Sequence, residues 1–139
     1  MAYWLMKSEP DAYSWDDLLR EGEGTWDGVR NHAAALHLKA MRPGDSAFFY
    51  HSNIGKEIVG VMTISAAAHP DPTEPEGTRW VAVRVKPLYP LKHPVSLASI
   101  KAEPALGQMA MIRQSRLSVS PLNDAEWAHI LTMSQRAEA

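Results

Sequence analysis

Three short stretches of this chain set aromatic rings beside hydrogen-bonding and cationic groups: Trp26-Asp27-Gly28-Val29-Arg30-Asn31, Phe48-Phe49-Tyr50-His51-Ser52, and Tyr3-Trp4-Leu5-Met6-Lys7-Ser8-Glu9-Pro10. These are the parts needed to hold one flat polar molecule such as a nucleobase. A ring face replaces lost base stacking at about 1–3 kcal/mol per base, and selection then falls to hydrogen bonds along the base edge. Trp26 is the candidate face, because polar Asp27, Arg30 and Asn31 follow it instead of apolar periodicity; Tyr50 is the candidate second wall. Asn31 offers both a donor and an acceptor, and His51, Ser52, Ser8 and Lys7 could complete the pattern. Arg30 and Arg116 are the candidate phosphate contacts, since phosphate contacts position a nucleic acid while base contacts specify it. Arg113, Lys56, Lys86 and Lys92 read as solvated charge.

Several of these residues have a purely structural reading as well. Trp4 lies in an apolar strand and suits the core. Trp127 suits a staple at a helix start, Trp15 suits either helix packing or the pocket, and whether Trp80 also lines the pocket stays open. Asn31 can cap a helix. A Ser-His-Asp reading of Ser52, His51 and Asp45 fails, because adjacent residues on a strand point to opposite faces and cannot pair as nucleophile and base. No nucleophile elbow, phosphate loop or metalloprotease motif occurs. With no cysteine, and six histidines lacking a ligand spacing, neither a metal nor another cofactor is expected. Two other functions stay open: an enzyme acting on a free modified nucleoside in the same pocket, and a module binding a protein through an aromatic groove.

The chain has 139 residues, 45% of them hydrophobic, which suits one core and a single domain over 1–139. A net charge of −2 excludes a protein that coats nucleic acid with bulk positive charge, so any such contact is local. No secretory leader and no apolar run near the roughly 20 residues of a membrane span is evident, and a soluble, cytoplasmic monomer is expected.

The elements that must position these residues can be read in order. Tyr3 to Lys7 is a strand closed by a turn. Ser14 caps a helix, with Asp17 at the return position of a capping box. A second helix starts at Asn31, carries Ala34, Leu36, Leu38 and Met41, and stops at the turn Arg42-Pro43-Gly44-Asp45. Asp45 to Ser52 and Ile58 to Ile64 form a hairpin across Asn53 to Lys56. His69 to Gly77 is an irregular acidic loop. Trp80 to Lys86 alternates as a strand with Val81, Val83 and Val85 on one side. Ser96 caps a short helix to Ala102, and Arg116 to Val119 is a last strand. Asn123 and Glu126 form a capping box for a C-terminal helix, with Leu122 and Trp127 as its hydrophobic staple.

Strands separated by short, irregularly placed helices indicate an α+β fold, a small mixed barrel with short flanking helices. The motifs Tyr3 to Pro10, Trp26 to Asn31, Arg42 to Asp45, Tyr50 to Ser52 and Val59-Gly60-Val61 together resemble the EVE domain. That resemblance covers nearly the whole chain and implies a PUA-like β-barrel, in a superfamily that also holds YTH, SRA and ASCH domains. It further implies binding of modified bases in DNA or RNA; together with the aromatic and amide content of these segments, this leads to the expectation of a non-enzymatic reader that accepts a flipped or single-stranded modified base in a pocket walled by Trp26 and Tyr50.

Overall fold

Runs such as Trp4-Leu5-Met6 and Phe48-Phe49-Tyr50 are apolar at every position, which a strand requires only when both faces of its sheet are covered. The computed structural model, which describes residues 2–75 and 79–136, bears this out. Six strands form one sheet in the order β2-β5-β4-β3-β1-β6. They are β1 Tyr3–Ser8, β2 Gly24–Trp26, β3 Ser46–His51, β4 Glu57–Pro70, β5 Val81–Ser96 and β6 Val119–Leu122. β1 and β3 pair in parallel, and the other pairs are antiparallel.

Strand alternation divides the core in two. Trp4, Met6, Ala47, Phe49, Met62 and Ile64 face one side, where helices α1 (Trp15–Glu21) and α2 (His32–Ala40) add Trp15, Leu18, Ala34 and Leu38. Leu5, Phe48, Tyr50, Ile58 and Val61 face the other. That side is covered by α3 (Leu97–Lys101), a 3-10 turn at Pro104–Leu106, α4 (Ala110–Arg113) and α5 (Asp124–Ser134). Trp127 stacks there on Phe48, with ring centres 3.9 Å apart, and on Tyr3 at 4.5 Å.

The expected caps form. Ser14 and Asp17 exchange hydrogen bonds at the start of α1, and Asn123 and Glu126 do so at α5. Four expectations need correction. The sheet is not closed into a barrel: β2 has three residues and pairs only with β5, while α2 packs against β4, β5 and β6 across the opening. Leu36 is 64% exposed, because it lies two residues from both Ala34 and Leu38 and so on the opposite side of α2. β4 and β5 run well past Ile64 and Lys86, through Pro70 and Ser96. Proline is tolerated in β5 because β2 pairs only with residues 83–85, leaving the rest of that edge open, and because the β4 register shifts repeatedly. The expected loop therefore begins at Asp71, and its Glu76 and Gly77 lie outside the described residues. Finally, the last strand is Val119–Leu122 rather than Arg116 to Val119, since Leu117 N–H closes a turn onto Gln114 and Met6 pairs with Val119.

Gly60 in β4 exists for packing. A Cβ there would lie 2.5 Å from the Trp15 ring, which is held at the start of α1 and stands edge-on to Phe49. Because a rigid ring must move, Gly60→Ala is expected to cost about 1–3 kcal/mol. Urea melts of the two proteins check this, and equal midpoints would show that the α1–sheet contact is loose.

Candidate functional site

The segment from Trp26 to Asn31 leaves β2 and must turn into α2, and a buried carboxylate sets its path. Asp71 is 1% exposed. One of its oxygens accepts the Gly28 N–H at 2.9 Å and Arg30 Nη1 at 2.9 Å. The other accepts Thr73 N–H at 2.7 Å and the Thr73 hydroxyl at 2.6 Å. Burial pushes this carboxyl up, but the bonds from Thr73, Arg30 and Gly28 prevail and hold it down at about 2. Gly28 takes φ +76°, the left-handed region that glycine enters at least cost. Arg30 Nη2 also donates to Thr73 Oγ1 at 3.0 Å, and its guanidinium lies 5.7 Å from the centre of the Trp80 ring, which stacks on His32. In the sequence Asp71 reads only as part of the acidic loop from His69 to Gly77. Its one signal is the Asp-x-Thr spacing, which lets an aspartate bond the backbone two residues on.

Beside this segment, at the C-terminal end of β1, lies a cavity of about 760 Å³. Lys7, Ser8, Trp26, Asp27, Arg30 and Arg84 line it, together with the carboxylates of Glu9, Glu21 and Glu23. Its volume falls in the range of small-molecule sites. Trp26 forms part of the wall while remaining 5% exposed, held edge-on against Phe49 at 5.1 Å and Tyr13 at 6.3 Å. Two of the cations are neutralised, Arg84 by Glu23 at 3.4 Å and Arg30 by Asp71. Burial raises the Asp27 carboxyl above its usual range, with the Asp71 charge adding to it. Burial lowers the Lys7 ammonium, whose Nζ donates to the Ser115 carbonyl at 3.0 Å.

The nine candidate residues therefore fall in different places. Trp26, Arg30, Lys7 and Ser8 share the large cavity. Ser8 also donates its hydroxyl to the Tyr13 carbonyl at 2.7 Å. Tyr50 does not face Trp26: Phe49 occupies that side of the sheet, and Tyr50, one residue on, points to the other face. The pocket walled by both rings is thus replaced by two depressions, Tyr50 and Ser52 lining a smaller one that Lys7 also reaches. Asn31 caps α2 by accepting the Ala34 N–H at 2.9 Å. It meets Arg116 in a third, shallow depression of about 300 Å³. His51 Nε2 accepts the Trp15 N–H at 3.0 Å, which leaves the ring neutral with its proton on Nδ1 and caps α1 from outside the helix. Burial lowers its pKa accordingly.

Asp45 is likewise occupied, accepting Trp4 Nε1 at 3.0 Å, Arg42 N–H at 3.0 Å and Ala2 N–H at 3.2 Å. Among the described residues no group of three or more His, Asp or Glu side chains is placed to hold a metal ion. No helix among them is long and apolar enough to cross a membrane.

An open mixed sheet with helices on both faces, and a ligand-sized cavity at the C-terminal end of β1, fit an α+β domain of the PUA-like fold. The chain belongs to the EVE domain family, whose model matches residues 2–133. A protein of Rhodopseudomonas palustris solved by NMR is 52% identical, with a TM-score of 0.90 over 97% of this chain and 94% of its own. Human thymocyte nuclear protein 1 is 33% identical over 97% of this chain and 75% of its own sequence. Its crystal structure with 5-methylcytosine-containing DNA superposes with a TM-score of 0.91 at 31% identity, covering 98% of this chain and 99% of that one. The YTH domain of a Zygosaccharomyces rouxii protein, solved with N6-methyladenosine RNA, shares the fold at 16% identity, with a TM-score of 0.62 over 99% of this chain and 89% of its own.

Proposed function

We propose that this protein is a non-enzymatic reader of a modified nucleobase in DNA or RNA, and that the base, flipped or single-stranded, enters the cavity beside Trp26. The observation that carries this reading is a cavity of about 760 Å³ with an indole in its wall and ionic groups around its rim, in a chain whose human relative has been solved with methylated DNA. In this reading the Trp26 indole, 5% exposed at the cavity wall, supplies the aromatic contact to the base, and Lys7, Ser8, Asp27 and the backbone of the Gly28 loop supply edge contacts. A single added methyl group changes affinity by about 1–3 kcal/mol at most, so moderate preference for the modified base is what this cavity can deliver.

Fluorescence anisotropy at fixed salt, with single- and double-stranded DNA and RNA oligomers carrying cytosine or 5-methylcytosine, and adenine or N6-methyladenine, tests the reading. The expected result is about a 10- to 200-fold preference for one modified oligomer. Equal affinity for every modified and unmodified pair overturns it, and product formation from a free modified nucleoside would replace the reader with an enzyme.

A further inference from the structure

Next to the base cavity, and sharing Lys7 with it, is a depression of about 210 Å³ built from different chemistry. Lys7, Lys56 and Lys101 line it with Ser52 and Asn53, beside apolar neighbours that include Met111 and Ile112, and none of the described residues lining it is acidic. The large cavity, by contrast, contains four carboxylates, those of Glu9, Glu21, Glu23 and Asp27. Lys56 and Lys101 are exposed, and neither has a carboxylate within 4.0 Å among the described residues. In a chain of net charge −2, three lysines around one small hollow are a local concentration of positive charge.

Their placement is built into the backbone. The loop between β3 and β4 turns through left-handed conformations at Asn53 (φ 68°) and Lys56 (φ 51°). A lysine adopts this conformation only where its surroundings impose it, and such residues concentrate at ligand sites. Here the Lys56 carbonyl is held by the Leu97 N–H at 2.9 Å, joining the loop to the start of α3. Leu97 and Lys101 are four residues apart on that helix and so share one face, which lines the hollow. The Ser52 N–H donates to the Ser8 carbonyl at 2.9 Å, which ties the rim to the strand end where the base cavity begins.

We infer that this hollow seats a backbone phosphate of the polynucleotide adjoining the nucleotide whose base enters the Trp26 cavity. The inference deepens the proposed function and rests on it for the neighbouring base. Lys56 and Lys101 supply unpaired charge, Ser52 and Asn53 supply neutral donors, and Lys7 stands between phosphate and base. This differs from the contacts expected of Arg30 and Arg116: Arg30 is already paired with Asp71, and Arg116 lies in the depression with Asn31.

The test is the salt dependence of binding for the wild type and the double variant Lys56→Gln, Lys101→Gln, whose exposed side chains leave the core intact. Probes are a matched pair of modified and unmodified oligomers and an abasic phosphodiester strand. The slope of log K against log salt should become shallower by about 2, one per lysine. Affinity should fall by the same factor for both oligomers and for the abasic strand, with the preference between oligomers unchanged. An unchanged slope overturns the inference, as does loss of preference without a change of slope. Inorganic phosphate that shifts the NMR amide signals of residues 52–56 while the polynucleotide slope stays constant would also overturn it, in favour of a small-anion site. If the oligomers show no preference for a modified base but the abasic strand still loses its slope, the phosphate site stands and the base reading falls.

Discussion

Trp26→Ala is expected to lower affinity for a modified-base oligomer by about 5- to 150-fold, because stacking on an aromatic face is worth about 1–3 kcal/mol. The same substitution should cost about 3–5 kcal/mol of stability. The indole is 5% exposed and edge-on to both Phe49 and Tyr13, so truncation opens the core from the cavity side. The two effects separate when binding is measured under conditions where circular dichroism shows the variant folded, beside Trp26→Phe, which keeps a ring and most of the packing. Unchanged affinity in a folded Trp26→Ala protein would confine Trp26 to the core and remove it from the binding site. An intermediate loss in Trp26→Phe is expected, since a smaller face covers less of a base.

Asp71→Asn should be the most damaging single change outside the hydrophobic core. Asp71 is buried, and its carboxylate accepts four bonds that hold the loop from Gly28 to Arg30 against the segment after β4. The difference between its ordinary value of 3.8 and about 2 in the folded protein corresponds to about 2.5 kcal/mol. The folded pKa is depressed, so this stability is fully present above the unfolded value and is lost as pH falls from about 4 through about 2. Urea unfolding between pH 7 and pH 2 should show the variant weaker by about 2–3 kcal/mol at neutral pH and the gap closing at acid pH. A gap that does not change with pH would mean that geometry, not charge, holds the loop. Because Asp71 also positions the wall that contains Trp26, base binding should fall in the variant even though Asp71 does not line the cavity.

Local signals carried far along this chain. Ser14 with Asp17, Asn31, and Asn123 with Glu126 start helices because their side chains satisfy nearby N–H groups, an interaction that spans three residues and needs no partner elsewhere. The apolar runs of β1 and β3 declare strands buried on both faces, and the ordered motifs identify the family over residues 2–133. The extent of β4 and β5 was less legible, because the prolines of β5 argue against a strand unless its edge is known to be open.

The candidate site divides in the same way. The sequence alone determined which side-chain types each segment carries, and Lys7, Ser8, Trp26 and Arg30 line one cavity in the fold. Tertiary structure decided that Tyr50 turns away from Trp26, because the face a strand residue takes depends on register and on which helices cover each side. It also decided that Arg30 is neutralised by Asp71, 41 residues away, and that Lys56 and Lys101, distant in sequence, line one hollow. Such pairings depend on long-range approach of chain segments, which short-range residue patterns do not encode.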